Sequence, residues 1–291
     1  MKTIHIVNNF AGKGKADELV ITNDNDEVYH TRFARDAEMY IKKALDKAED
    51  IVKFVVYGGD GTLCEAVNGI MSSVNSHLAR IKLIPSGSGN DFFKVIKDIK
   101  EDVAVDLIKY NDRYSVNMLN IGFDCNVVAA TDKYKKKPLV SGSFAYILGV
   151  ADILCHKMGE YFRIKITDIN GKITEFNGGD YLLCAVANGQ FCGGGFCNSP
   201  ISEINDGELE FLLVDKVSRG KFIALVADYK NGTHIDREKI EPVEKFKNFM
   251  KYIKIKKMEI SGMKTLCADG EVERMSHATI EVVPKAVIFT P

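Results

Sequence analysis

Two short stretches hold the residue types best suited to chemistry. "YGGDGTLCE" (Tyr57–Glu65) sets one carboxylate, Asp60, among Gly58, Gly59 and Gly61, and "PSGSGND" (Pro85–Asp91) sets Ser86, Ser88 and Asn90 around Gly87 and Gly89. Glycines let backbone amides approach an anion with no Cβ in the way. Each stretch follows an apolar run and precedes helical periodicity, so each leads into a helix N-terminus, whose free N–H groups and positive dipole end suit phosphate. Thr62, with Glu65 three residues later, fits a capping box. Asp60 alone would repel a phosphate. It makes sense as a Mg²⁺ ligand, as a group ordering metal-bound water, or as an assistant to a hydroxyl; a capped turn with a solvated aspartate is the plainer alternative. A third polar loop, "NNFAGKGK", brings Lys13 and Lys15. No GxxxxGK[ST] occurs, so none of these is a Walker P-loop.

The elements that must position these loops follow from periodicity. Strands at Thr3–Val7, Phe54–Tyr57 and Ile81–Ile84 alternate with an amphipathic helix from about Arg32 to Glu49, a helix striped by Leu63, Ala66, Val67, Ile70, Met71 and Val74, and a short helix marked by Phe92, Val95, Ile96 and Ile99. This alternation predicts a parallel, doubly wound α/β sheet with all three loops at the carboxyl ends of its strands, where open sheets bind ligands. From about Val103 the pattern changes. Val103–Tyr110 and Tyr114–Asn120 read as antiparallel strands about the turn "NDR", and helices follow near Asn126–Lys135 and Ser143–Lys157. After Glu160 strands dominate, at Tyr161–Asp168, Tyr181–Ala187, Leu209–Val214, Lys251–Ile260 and Thr279–Val283, interrupted by a helix over about Arg219–Asn231. The apolar phase slips by one residue between Ile255 and Met258, which predicts a β-bulge. The fold class is therefore α/β plus β-rich: a doubly wound nucleotide-binding domain over residues 1–120 and a β-rich domain over 121–291, the last few residues being free to return to the first.

A net charge of −1 over 291 residues argues against nucleic acid as a partner. The seven cysteines include no CxxC pair, and Cys192 and Cys197 have no His or Cys partners at zinc-finger spacing, which favours reduced thiols in an intracellular protein. "MKTIHIVNNF" lacks the apolar core and cleavage site of a signal peptide, and no run of about 18 apolar residues occurs to span a membrane. The expected location is cytoplasmic. The oligomeric state, a homodimer included, stays open.

Taken together, the motifs resemble the diacylglycerol kinase catalytic family, the bacterial soluble lipid kinases related to eukaryotic diacylglycerol, sphingosine and ceramide kinases. The residues carrying the resemblance run in the family's order over nearly the whole chain: Gly58–Thr62 with Glu65 and Asn68-Gly69; Ser86–Phe92; Asn120–Asp124; Asn188-Gly189 with Gly193–Gly195; Asn205–Gly207; and Asp269–Glu271. The resemblance implies a β-sandwich-like second domain, a deep interdomain cleft, and transfer of the γ-phosphoryl group of ATP to a lipid hydroxyl at the membrane surface. It implies that Asn8, Thr31, Gly58, Gly59, Asp60, Gly61, Thr62 and Ser88 line the ATP site, with Asn90 beside them. Glu271 would be the general base, assisted by Asp60, and Asp124 would join an Asp–water–Mg²⁺ network. Asp206, with carbonyls near Glu203 and Glu208, would hold a second, structural Mg²⁺. Three positions depart from the family's usual pattern: Asn8-Asn9 for Asn-Pro, Gly87-Ser88 for Gly-Thr, and Phe93-Lys94 for Ala-Arg. Lysine cannot reproduce a bidentate arginine, so a phosphate contact at Lys94 is in question. The lysines around 133–137 precede an apolar segment, Phe144–Leu154, that suits an acyl-chain cleft or a core helix, whereas the lysines of 245–257 read as an ordinary strand face. "CGGGF" (Cys192–Phe196) is either a corner against the cleft or a tight bend. Two rival readings are NAD kinase, whose Thr-Pro-Thr-Gly-Ser-Thr-like loop is absent here, and a catalytically silent binder on the same fold, against which Asp60, Asp124, Asp206 and Glu271 all argue.

Overall fold

The computed structural model describes residues 1–11, 14, 16–135, 142–155 and 158–291, with the side chains of 132, 135 and 142–147 left aside. Lys13, Lys15, Lys136 and Lys137, and any role for the side chains of 144–147, therefore lie outside the described residues. The N-terminal half comprises β1 (Lys2–Val7), β2 (Glu27–His30), α1 (Asp36–Leu45), β3 (Val52–Gly58), α2 (Asp60–Met71), β4 (Ala79–Pro85), α3 (Phe93–Ile96), β5 (Val103–Tyr110) and β6 (Arg113–Ser115). The C-terminal half comprises β7 (Met118–Gly122), α4 (Phe123–Lys135), α5 (Gly142–Cys155), β8 (Glu160–Asp168), β9 (Ile173–Ala187), β10 (Leu209–Asp215) and α6 (Arg219–Asn231), then β11 (Ile235–Asp236), β12 (Glu241–Pro242), β13 (Met250–Ser261), β14 (Thr265–Ala268), β15 (Glu271–Arg274) and β16 (His277–Phe289).

Strands β4, β3, β1 and β2 lie side by side in that order and all parallel. The connections run one way from β1 to β2 and the other way from β3 to β4, so the topology reverses between β1 and β3, the place where open α/β sheets form a crevice. Ile4, Ile6, Phe54, Val56 and Ile81 are buried against the apolar stripes of α1 and α2. α1 is shorter at both ends than its periodicity predicts: it starts at Asp36 after Arg35 in the left-handed region, and ends at Leu45.

The second domain is β-sandwich-like. Strand β10 shows why its sequence is so uniformly apolar: Leu209, Phe211 and Leu213 enter the core between the sheet layers, while Leu212 and Val214 face the α4, α5 and α6 side. The expected bulge is present in β13, where pairing with β8 shifts register between Ile255 and Lys257. The predicted single strand Tyr114–Asn120 is instead two, β6 and β7, broken where the backbone turns its amides onto Asp269.

Strand β16 joins the two halves. Its first part pairs with β13 and β5, and its last part pairs again with β5 and, through Phe289 and Ile81, in parallel with β4. Between them the register shifts from Val283 to Val287, with Lys285 at φ 50. The buried Asp106 carboxylate on β5 fixes this irregularity, accepting from the amides of Lys285 (2.6 Å) and Gly207 (2.6 Å).

Candidate active site

The two glycine loops lie against each other at the carboxyl ends of β3 and β4. Asp60 is the first residue of α2, and its carboxylate reaches across to accept from the amides of Asp91 and Phe92, both at 3.1 Å. Burial pushes its carboxyl up to about 6, against the pull of those two amides. The glycines are there because protein atoms crowd them. A Cβ on Gly87 would lie 2.5 Å from Cα of Gly59, one on Gly58 would meet the Thr62 side chain at 2.4 Å, and one on Gly89 would stand 3.2 Å from Asp60 Oδ2. Gly87→Ala is therefore expected to force the loops apart, costing about 1–3 kcal/mol in urea unfolding and weakening nucleotide binding in the same preparation.

The remaining predicted nucleotide-site residues gather around this pair. Asn8, just after β1, donates from Nδ2 to Thr62 Oγ1 at 2.8 Å, bridging the switch point between β1 and β3. Thr31 is buried just after β2, its amide donating to the Val7 carbonyl at 2.9 Å. Ser88 is exposed at the loop tip. Asn90 turns inward: it accepts from the Gly87 amide and donates to the Gly87 carbonyl, so it shapes the loop. The expected capping box is not formed. α2 begins at Asp60 with no side-chain cap, and Glu65 instead accepts from the amides of Arg35 (2.8 Å) and Ala37 (3.3 Å), capping α1 from outside. Asn68 staples α2 to Tyr114, and Gly69 gives α1 room, since a Cβ there would lie 2.6 Å from the Glu38 carbonyl.

Glu271 comes to this wall from the second domain. A Cβ on Gly61 would lie only 3.1 Å from its Oε1, so the carboxylate rests against the first turn of α2. Solvent reaches Glu271 at the end of its turn, yet the protein crowded around its carboxyl, and then the carboxylates of Glu65 and Asp269, push it up to about 7; Arg113 opposes them. What holds Glu271 there is Asp269, a residue that spacing alone did not single out. Its buried carboxylate accepts from Ser115 Oγ (2.6 Å) and from the amides of Val116, Asn117 and Met118 (2.9–3.0 Å). Asp269 and Gly270 then both take positive φ, turning the chain so that Glu271 faces α2.

Asp124 stands apart from these groups. Among the described residues its carboxylate accepts from Tyr229 Oη at 2.9 Å and shows no contact with Asp60 or Glu271. Burial pushes it up to about 6. It lines an apolar cavity with Asn120, Val128, Cys192, Phe196 and Phe222, beneath α4, which itself packs on β14 and β15. "CGGGF" is both things its sequence allowed. It is a tight bend closed by a Cys192–Phe196 bridge, and its Gly194 amide donates to Asp91 Oδ2 at 2.8 Å, tying the second domain to the glycine loop. Lys94 pairs with the other oxygen of Asp91. All seven cysteines are unpaired by disulfides.

The expected structural Mg²⁺ would sit on Asp206 and the carbonyls near Glu203 and Glu208. Glu203 is exposed, and the ammonium of Lys254 stands among the acids, 2.7 Å from Asp206 Oδ2 and 2.8 Å from Glu208 Oε2. A cation already neutralises these carboxylates, so the residues present do not fit a metal. Lys254 is thus more than part of a strand face.

Comparison with known proteins agrees with this architecture. Residues 2–121 match the diacylglycerol kinase catalytic domain, and residues 117–290 match the YegS C-terminal NAD kinase beta sandwich-like domain. A protein of Staphylococcus carnosus named diacylglycerol kinase is 30% identical over 84% of this chain and 77% of its own length. A lipid kinase YegS-like protein of Shewanella frigidimarina is 28% identical over 83% of this chain and 77% of its own. A crystal structure of a diacylglycerol kinase from Bacillus anthracis superposes with a TM-score of 0.70, covering 99% of this chain and 96% of that one; at 23% identity it speaks to the fold alone.

Proposed function

We propose, since this chain belongs to the diacylglycerol kinase catalytic family and is a lipid kinase, that it transfers the γ-phosphoryl group of ATP to a lipid hydroxyl such as that of diacylglycerol, with Mg²⁺. The observation that carries this reading is the contact between Glu271 and Gly61, which sets a carboxylate from one domain against the helix N-terminus of the other. In this reading residues 1–120 bind the nucleotide and 121–291 the lipid.

The glycine loops supply the phosphate site. The amides of Asp60, Gly61 and Thr62 have no partners within the first turn of α2, and Ser86 Oγ and Asn9 Oδ1 are buried without a hydrogen bond among the described residues. A polar ligand would satisfy them. Asp60, at the mouth of the two loops, is the residue that would help hold a divalent cation there together with the nucleotide's phosphates. Mg²⁺ supplies charge neutralisation at the phosphates when bound. Glu271 takes the proton of the acceptor hydroxyl as its oxygen bonds to the γ-phosphorus; the bond to the β-phosphate oxygen breaks, ADP leaves, and the proton passes from Glu271 to solvent.

Asp124 and Tyr229 form the polar end of the apolar cavity lined by Val128, Phe196 and Phe222, and in this reading an apolar part of the lipid enters there while its hydroxyl lies at Glu271. Among the described residues no helix is long and apolar enough to cross a membrane. The lipid is met, in this reading, by a cytoplasmic protein attached at the inner membrane face.

The test is label transfer from γ-labelled ATP with Mg²⁺ to a panel of diacylglycerol, phosphatidylglycerol, sphingosine, undecaprenol and NAD. Label is expected in a lipid, diacylglycerol first. Label in NAD alone, or in no acceptor, overturns the proposal.

A further inference from the structure

Asp206 and Glu208 lie in the turn and the short segment just before β10, and Glu210 is the second residue of that strand. Lys254 sits directly across from Glu210 in the β10–β13 pairing, and its ammonium reaches all three, at 2.7 Å, 2.8 Å and 3.8 Å. The acids are also engaged elsewhere. Asp206 Oδ1 accepts from the Glu208 amide at 3.0 Å, and Glu210 Oε2 accepts from Ser202 Oγ at 2.6 Å. Glu210 is only 1% exposed, so an unbalanced charge there would be costly. The Asn205–Gly207 turn carrying Asp206 is itself held to the first domain by the Gly207 amide on Asp106.

We propose that Lys254 is a tethered cation doing the work that a structural divalent ion would do in this turn, so that the second domain folds and holds its Asp206 turn without any metal. An ammonium offers three donors and one charge; here two donors meet carboxylates of the turn and the charge serves the third. The inference does not depend on which acceptor the enzyme uses, since it concerns a cluster outside the glycine loops and the Asp124 cavity.

The experiment follows thermal unfolding and calorimetric Mg²⁺ titration of the full chain, without ATP, in EDTA and in magnesium chloride. In the wild-type protein, any response to Mg²⁺ is expected to be the same in an Asp206→Asn variant. A Mg²⁺ binding event or a rise in Tm that Asp206→Asn abolishes would overturn the proposal. Lys254→Met, which keeps the stem and removes the charge, is expected to lower Tm in EDTA and to regain part of it in Mg²⁺, a gain that disappears when Asp206→Asn is added. A Lys254→Met protein as stable as wild type, or one whose Tm ignores Mg²⁺, equally overturns it. Should Lys254→Met not fold in EDTA, refolding it with and without Mg²⁺ gives the same readout: recovery in Mg²⁺ supports the proposal, and failure in both counts against it.

Discussion

Glu271→Gln is expected to lower kcat by about 10²–10⁴-fold, the range for a positioned proton acceptor, with ATP affinity unchanged. Glutamine keeps the shape that rests against Gly61 but accepts no proton. The wild-type pH profile gives a second readout. With its carboxyl pushed up to about 7, Glu271 is protonated and idle below that pH and becomes a competent base above it, so kcat should climb through about pH 7 and level off. In Glu271→Gln that limb should vanish from the residual activity. A variant retaining full kcat would remove Glu271 from the chemistry.

Asp269→Ala is the larger effect on the fold. It strips a buried carboxylate from four donors at once, those of Ser115, Val116, Asn117 and Met118. Each buried neutral donor left unsatisfied costs about 1–3 kcal/mol, so the loss is a large share of the total stability of about 5–15 kcal/mol that is usual for a domain. The urea midpoint should fall accordingly, and amide exchange should speed up at 116–118 before it does elsewhere. Asp269→Asn, able to accept but bringing its own N–H₂ toward donors, should fall between. Activity should drop in both variants although Glu271 is intact, because the turn that aims it is gone. Unchanged exchange at 116–118 would show that the amides have another partner.

Much of this was legible from residue order. The glycine loops, the strand–helix alternation and even the β13 bulge follow from local periodicity, since each is decided by which face of its own element is buried. Residues whose partners are distant in sequence were not. Glu65 stands at capping-box spacing from Thr62, yet its partners are the amides of Arg35 and Ala37, thirty and twenty-eight positions away. Asn68-Gly69 carries no local meaning either, until α1 and β6 are seen pressing on α2. Lys254 looked like any outward lysine because pairing with β10, not its own strand, decides what it faces. Asp269 was visible only as part of a turn, because its donors lie some 150 positions earlier. The hydrogen bond from Tyr229 to Asp124 was not legible either, since Tyr229 arrives on a helix that sequence spacing does not connect to it.

Strand β16 sets how the two domains can move. It is hydrogen-bonded into both, to β13 before Val283 and to β4 at its end, with β5 alongside on both sides of the irregular segment. A paired strand cannot slide by one residue without turning every side chain to the wrong face. Shear of one domain past the other is thereby denied, and what is left is bending at the irregular segment 283–287, which Asp106 grips by the Lys285 amide. Opening of the cleft becomes a rotation about two covalent crossings, the β6–β7 passage and the irregular segment of β16, with Gly61 and Glu271 as the faces that part.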